Sequence, residues 1–306
     1  MTSDHPQAMG HLEWFLLVFL SIIWGASFFF FKVLVAELPP FTIVLGRVAL
    51  AALILHLYIL ARGERMPTNL TLWGEFFISG ALNNVIPFSL IVYGESRISS
   101  GLASIINATT PFFTIIVAHY LTHNEKLSWN KTAGVAFGIT GVAILTGPGV
   151  LGHGGDPLGE FCCVAAAISY AFASVFARRF KAIAPLKVAT GQLTASTVLL
   201  IPLAAIVDQP WGLAMPSLQA WGAWLGLSIL GTALAFLIYF HILAKSGATN
   251  SALVTFLSPI SAAMLGVIFL GESLEMPAVA GMLVITLGLA AIDGRPIQWL
   301  RRSLQA

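Results

Sequence analysis

Charge is scarce in this 306-residue chain. Asp, Glu, Lys and Arg together make up 9% of it, against 58% hydrophobic residues, where a soluble domain carries about a quarter charged residues. That balance excludes a water-soluble globule and places the core in lipid. The net charge is +2, with basic residues scattered over several loops rather than gathered into a stripe, so nucleic acid is not an expected partner. Cysteine is almost absent. Cys162 and Cys163 are adjacent, and neighbours in a helix point apart, which rules out a disulfide framework and leaves them as packing residues. There is no Asp-rich cluster, no His pair at metal-ligand spacing and no Ser-His-Asp set, so neither an embedded enzyme nor a metal or other cofactor is expected. A channel is the alternative harder to exclude, but its filter needs a ring of carbonyls or charges, normally from several subunits, and the internal repeat of this chain favours a carrier.

What is present is a succession of apolar runs of some twenty residues, each long enough to cross a bilayer. Read between polar breaks, they predict an all-α integral membrane protein. Its ten helices fall near residues 12–35, 41–61, 73–94, 98–121, 131–147, 158–179, 185–207, 219–243, 249–270 and 278–292. Prolines 39, 40, 67, 148, 157, 185, 210, 216 and 277 punctuate the breaks, where a missing amide donor does least harm. Met1 to Glu13 hold no Lys or Arg, and no small-x-small site follows, so the first run is expected to remain as a transmembrane helix.

Positive charge orients the chain. With both termini cytoplasmic, the inner loops collect Arg62, Arg65, Lys126, Lys131, Arg178, Arg179, Lys181, Lys187, Lys245, Arg295, Arg301 and Arg302, while only Lys32 and Arg97 lie outside and Arg47 falls within the second helix. This is the asymmetry of an inner (plasma) membrane protein with its positive loops inside.

The second half echoes the first at a shift of about 147 residues. Gly46-Arg47 falls on Gly191-Gln192, Gly80 and Tyr93 on Gly226 and Tyr239, Pro111 on Pro259, Glu125 on Glu272, and Gly134 and Gly141 on Gly281 and Gly288. Five helices per repeat is an odd number, so the second repeat enters the membrane from the opposite face. Two inverted halves of this kind suit alternating access around a midplane site. They also make a monomer sufficient.

The stretch from Ala248 to Pro259, then Leu270-Gly271-Glu272-Ser273, Gly281 and Gly288, resembles the EamA-type drug/metabolite transporters. A looser copy runs through Gly101 to Pro111, Asn124-Glu125-Lys126, Gly134 and Gly141. Trp24-Gly25 with Ser27, and Arg47 after Pro39-Pro40, are similar to the family's first two helices. The resemblance implies two EamA-like five-helix repeats, residues 1–150 and 151–306, and a carrier that exports small metabolites. Within the family the chain looks most like the YddG-type exporters of aromatic amino acids.

Polar groups in lipid are costly unless they face the bundle interior. On the fourth helix Ser100, Ser104, Asn107, Pro111 and Thr114 recur at alternating spacings of four and three, and on the ninth Ser251, Thr255 and Ser258 lead to Pro259, the period of one helix face. Asn107 and Thr255 are cavity candidates, with interhelical glue as the alternative. Trp24, Phe28, Tyr93, Tyr170, Phe236 and Tyr239 suit the stacking of a planar substrate, or equally core filling and an interfacial belt. Arg47 is placed to clamp a substrate carboxylate, or else to snorkel outward or pair with Glu37 or backbone carbonyls. Ser27, Asn83, Asn84 and Gln192 complete the candidate substrate-binding set, and Pro87, Pro111 and Pro259 are candidate hinges. All thirteen carboxylates sit in termini, loops or helix ends, Glu13, Glu75 and Glu95 being the nearest to an interior. With none evident inside the membrane, the expectation is a facilitator that runs down its substrate gradient.

Overall fold

The computed structural model describes residues 10–121, 129–150, 156–251, 254–273 and 275–293. Among them all regular structure is helical. Seven helices are long and apolar enough to cross a membrane: His11–Val35, Pro40–Ala61, Leu70–Glu95, Ser100–Leu121, Pro157–Phe180, Pro185–Asp208 and Leu218–Ile242. Shorter apolar helices cover Thr132–Ile144, Leu257–Leu270 and Met276–Gly288. Large hydrophobic side chains such as Phe15, Ile206 and Phe269 lie on the outer surface, as lipid-facing positions must.

In finer detail the elements are α1 (His11–Val35), α2 (Pro40–Ala61), α3 (Leu70–Gly80), α4 (Ile86–Glu95), α5 (Ser100–Asn107), α6 (Thr110–Leu121), α7 (Trp129–Val150), α8 (Pro157–Phe176), α9 (Pro185–Leu203), α10 (Leu218–Leu225), α11 (Ala235–Ser251), α12 (Val254–Leu270) and α13 (Met276–Asp293). A π-helical segment, Ala81–Val85, joins α3 to α4, and another, Gly226–Leu234, joins α10 to α11. A third, Ala204–Asp208, ends α9. π segments leave carbonyls short of partners and are frequent at functional sites. Here Ser169 of α8 donates to the Leu82 carbonyl at 2.8 Å.

The packing pairs elements of one half with elements of the other. α1 lies on α12 and α8 on α6, while α2 packs on the second π segment and α9 on the first. Gly46 of α2 is covered by the indole of Trp224, and Gly191 of α9 by the ring of Phe76. α7 crosses α13 with glycines from both helices at the contact: a Cβ on Gly141 would meet the Gly281 carbonyl, and one on Gly288 the Gly134 carbonyl. Small residues are what allow such close backbone approach.

Short turns make successive helices antiparallel, so the turns at 36–39, 96–99, 209–217 and 271–275 share one end of the bundle. Carboxylates hold that end shut. Glu37 accepts from the Ser217 amide and hydroxyl at 2.7 and 2.5 Å. Asp208 accepts from the Thr42 amide and hydroxyl at 2.6 and 2.9 Å. Glu272 accepts from the Ser100 amide and hydroxyl, both at 2.8 Å, and from the Gly101 amide at 3.2 Å. Each carboxylate meets the start of a helix in the other half, where unpaired amides and the positive end of the helix dipole favour an anion. Within the first half Lys32 ties α1 to the end of α4 by donating to the carbonyls of Glu95 and Ile98 at 2.7 and 2.8 Å.

Of the positions singled out in the sequence, Asn124-Glu125-Lys126 and the basic residues Arg295, Arg301 and Arg302 lie outside the described residues.

Candidate functional site

A cavity of about 630 Å³ occupies the centre of the bundle, within the usual size range of small-molecule sites. Its lining reaches Phe180, Lys181, Ile183 and Pro185 at the exposed turn between α8 and α9, and no residue of the closed-end turns takes part. It is therefore a vestibule open at one end of the bundle only.

Arg47 forms part of its wall. The side chain is buried, its Nε donating to the Thr232 hydroxyl at 2.9 Å in the second π segment. The guanidinium lies 3.8 Å over the centre of the Phe88 ring and 5.0 Å over that of Phe31. Aromatic faces attract the cation and hold it flat without using its N–H donors. The bond to Thr232 is the only hydrogen bond that Arg47 makes among the described residues, so most of its five donors remain for a ligand. Neither alternative for Arg47, an outward snorkel or a pairing with Glu37, is realised, because Glu37 is engaged by Ser217.

Across the cavity Gln192, the repeat mate of Arg47, reaches the first π segment. It accepts from Asn83 at 3.2 Å and donates to Ser79 at 2.7 Å. Asn84 donates to Ser196 at 3.0 Å. Asn84 Oδ1, Ser104 Oγ and Asn107 Oδ1 are buried beside the cavity and have no hydrogen-bond partner among the described residues. Unpaired buried acceptors are uncommon and mark places where a polar ligand or water belongs.

Aromatic rings line the remaining wall. Trp24 and Tyr239 pack with ring centres 5.6 Å apart, and Phe88 meets Tyr170 edge-on at 6.4 Å. Phe28, Phe236 and Phe240 also line the space. Among the described residues, Arg47 and Lys181 are the charged groups in the lining, and no carboxylate is among them.

The structure thus brings together Trp24, Ser27, Phe28, Arg47, Asn83, Asn84, Asn107, Tyr170, Gln192, Phe236, Tyr239 and Thr255 around one cavity. Tyr93 is not brought there. It lies at the closed end, its hydroxyl accepting from Arg97 at 2.9 Å. The polar stripe of the fourth helix divides: Ser104 and Asn107 face the cavity, whereas Ser100 is held by Glu272 and Thr114 donates to the Thr110 carbonyl. Pro259 lines the cavity, Pro87 follows the first π segment and Pro111 follows the break between α5 and α6. Ser79, Phe31, Phe88 and Lys181 are lining residues that sequence reading missed. Phe31 and Phe88 carry no local signal among so many phenylalanines, but Lys181 sits in a basic turn already assigned to one end.

The carboxylate expectation needs a correction. Glu95 does sit at a helix end, yet it is completely buried, and Glu160 in the first turn of α8 is almost so. The elements that cover them come from distant parts of the chain. Three charged groups outside the helices are also paired. Arg97 holds the Asp156 carboxyl below the usual Asp value, and that carboxylate raises Arg97 in turn. Ser217 holds the Glu37 carboxyl below the usual Glu value.

The EamA-like transporter family model matches residues 12–147 and again 157–292. The chain belongs to that family. Among similar proteins, the "uncharacterized inner membrane transporter YedA" of Escherichia coli (strain K12) is 26% identical over 91% of this chain and 92% of the relative. The "uncharacterized transporter YoaV" of Bacillus subtilis (strain 168) is 25% identical over 89% of this chain and 94% of the relative. A crystal structure of another protein superposes with a TM-score of 0.66 at 20% identity, covering 95% of this chain and 98% of that one, and speaks for the fold alone. This EamA-family protein is a multi-pass inner-membrane transporter.

Proposed function

We propose that this transporter exports small metabolites, foremost amino acids with aromatic or hydrophobic side chains, by alternating access. The observation that carries the substrate class is the cavity wall: a guanidinium packed on the faces of Phe88 and Phe31, with Lys181 at the mouth and no carboxylate among the described lining residues. Such a wall binds a carboxylate through bidentate hydrogen bonds and stacks a planar side chain. The unpaired oxygens of Asn84, Ser104 and Asn107 supply acceptors for an ammonium group.

The proposed architecture is ten transmembrane helices in two five-helix repeats of opposite orientation, with both termini cytoplasmic. Reciprocal contacts support it. Gly46 meets Trp224 as Gly191 meets Phe76, and Gly141 meets Gly281 as Gly288 meets Gly134. Arg47 reaches the second π segment through Thr232 as its mate Gln192 reaches the first through Asn83. An exchange symmetry of this kind is expected when two equivalent halves face each other across a two-fold axis, and it allows the open and closed ends to trade roles. In this orientation the cavity opens to the cytoplasm, and the carboxylate-capped end faces outward. One chain contains the whole site, so the working unit is a monomer in the lipid bilayer.

The test is uptake competition in proteoliposomes with a panel of amino acids, aromatic cations and sugar phosphates. Competition and counterflow by phenylalanine and tryptophan, without effect of phenethylamine, are expected. Competition by aromatic cations alone would refute the carboxylate reading.

A further inference from the structure

We propose that Glu95 is a protonation switch in the transport cycle, and that the closed end shuts only when this carboxyl carries its proton. The inference rests on the alternating-access reading above.

Glu95 is the last residue of α4 and has no solvent exposure. Neither of its carboxylate oxygens has a hydrogen-bond partner among the described residues. The charged and titratable groups around it come from four elements: Lys32 on α1, Arg47 on α2, Glu272 after α12, and Cys163 on α8. Glu160 lies one helical turn from Cys163 on α8. None of these neutralises Glu95 by contact. Lys32 donates to the backbone carbonyls of Glu95 and Ile98, Arg47 is stacked on Phe88 and bonded to Thr232, and Glu272 is another anion, committed to Ser100 and Gly101. Backbone carbonyls that would attract a metal cation already hold the Lys32 ammonium, so a proton is the species this site suits.

Position makes the group a gating device. Glu95 stands one turn beyond Ile91, which lines the cavity, and beneath the turns that Glu37, Asp208 and Glu272 hold shut. An ionised carboxylate in this arrangement would be shut away from bulk solvent without a protein donor among the described residues, which is strongly unfavourable. The neutral acid is therefore the form compatible with closure. When the end opens, water reaches the carboxyl, the O–H bond breaks and the proton passes to a water molecule on that side. Reclosure requires the reverse transfer from the same side. A conformation that binds a proton more tightly is favoured by acid, so rising pH shifts the end toward opening.

Two substrate-independent measurements test this in nanodiscs. The first is the infrared carbonyl band of a protonated carboxylic acid at neutral pH. The wild type is expected to show such a band that is lost in Glu95→Gln, and an unchanged spectrum would overturn the proposal. The second is the distance between spin labels at Ser96→Cys and Trp211→Cys, in a Cys162→Ala/Cys163→Ala background, followed against pH. The labelled protein should open as pH rises; Glu95→Gln should stay closed as pH rises; Glu95→Asp should open with a displaced midpoint; Glu160→Gln should respond like its parent. An identical pH response with and without Glu95→Gln, or its loss only in Glu160→Gln, would overturn the assignment. A distance that moves with added phenylalanine but not with pH would sink the proton site and leave alternating access standing. One fixed distance under every condition would sink both.

Discussion

Gly46 lies so close beneath Trp224 that a Cβ would overlap the indole ring, while the indole N–H donates to the Ile43 carbonyl at 3.0 Å. The hydrogen bond locks the ring in place, so a larger residue at position 46 cannot be met by a simple rotation of the tryptophan. Gly46→Ala should therefore destabilise the protein by ~1–3 kcal/mol, the usual range for overpacking. Thermal unfolding in detergent would read it. Gly46→Ala combined with Trp224→Leu should recover part of the loss; strict additivity of the two changes would disprove the contact's importance.

Arg47 permits a sharper separation of binding from folding. A hydrogen bond to a charged partner contributes about 1.5–3 kcal/mol, so Arg47→Gln should weaken phenylalanine transport by roughly tenfold or more. Arg47→Lys should restore little, because an ammonium cannot form the planar fork. Initial uptake rates over a range of substrate concentrations check both, and full activity in Arg47→Gln would remove this residue from the site.

Trp24 and Tyr239 are expected to act through ring contact. An aromatic pair adds about 0.5–1.5 kcal/mol beyond area burial. Trp24→Ala should thus raise the KM for tryptophan several-fold more than that for alanine, while Trp24→Phe retains most of the affinity. Equal effects on both substrates would assign Trp24 to the core instead.

The Glu37 to Ser217 bond predicts a second pH limb at the closed end. Ser217 lowers the Glu37 carboxyl below the ordinary Glu value, so its contribution is complete above that ordinary value and disappears as pH falls through the lowered one. Acid favours closure through Glu95, yet at still lower pH the end should loosen again. Ser217→Ala should remove the acid limb from the label-distance profile and leave the alkaline limb intact.

Sidedness can be checked directly. Gly63→Cys and Lys181→Cys should both be shielded from an impermeant maleimide added outside intact cells, and Trp211→Cys should react. Labelling of Gly63→Cys and Lys181→Cys on different faces would break the inverted-repeat topology.

The sequence by itself determined a lipid-embedded helical chain, approximate helix positions and the correspondence of the two halves. These are local properties: a run of apolar residues crosses a bilayer whatever surrounds it, and repeated glycines and prolines keep their spacing. The polar and aromatic positions that cannot favour lipid are also readable, among them Asn107, Gln192 and Tyr170, which share the cavity wall. Only the tertiary structure decided which end is shut, that Tyr93 belongs there, and that Phe31 and Phe88 both lie against the Arg47 guanidinium. It also decided that Glu95 is buried. Burial at a helix end depends on which segment from elsewhere in the chain covers it. For Glu95 the covering groups are Lys32, Cys163 and Glu272, and no pattern along the fourth element alone can encode their approach.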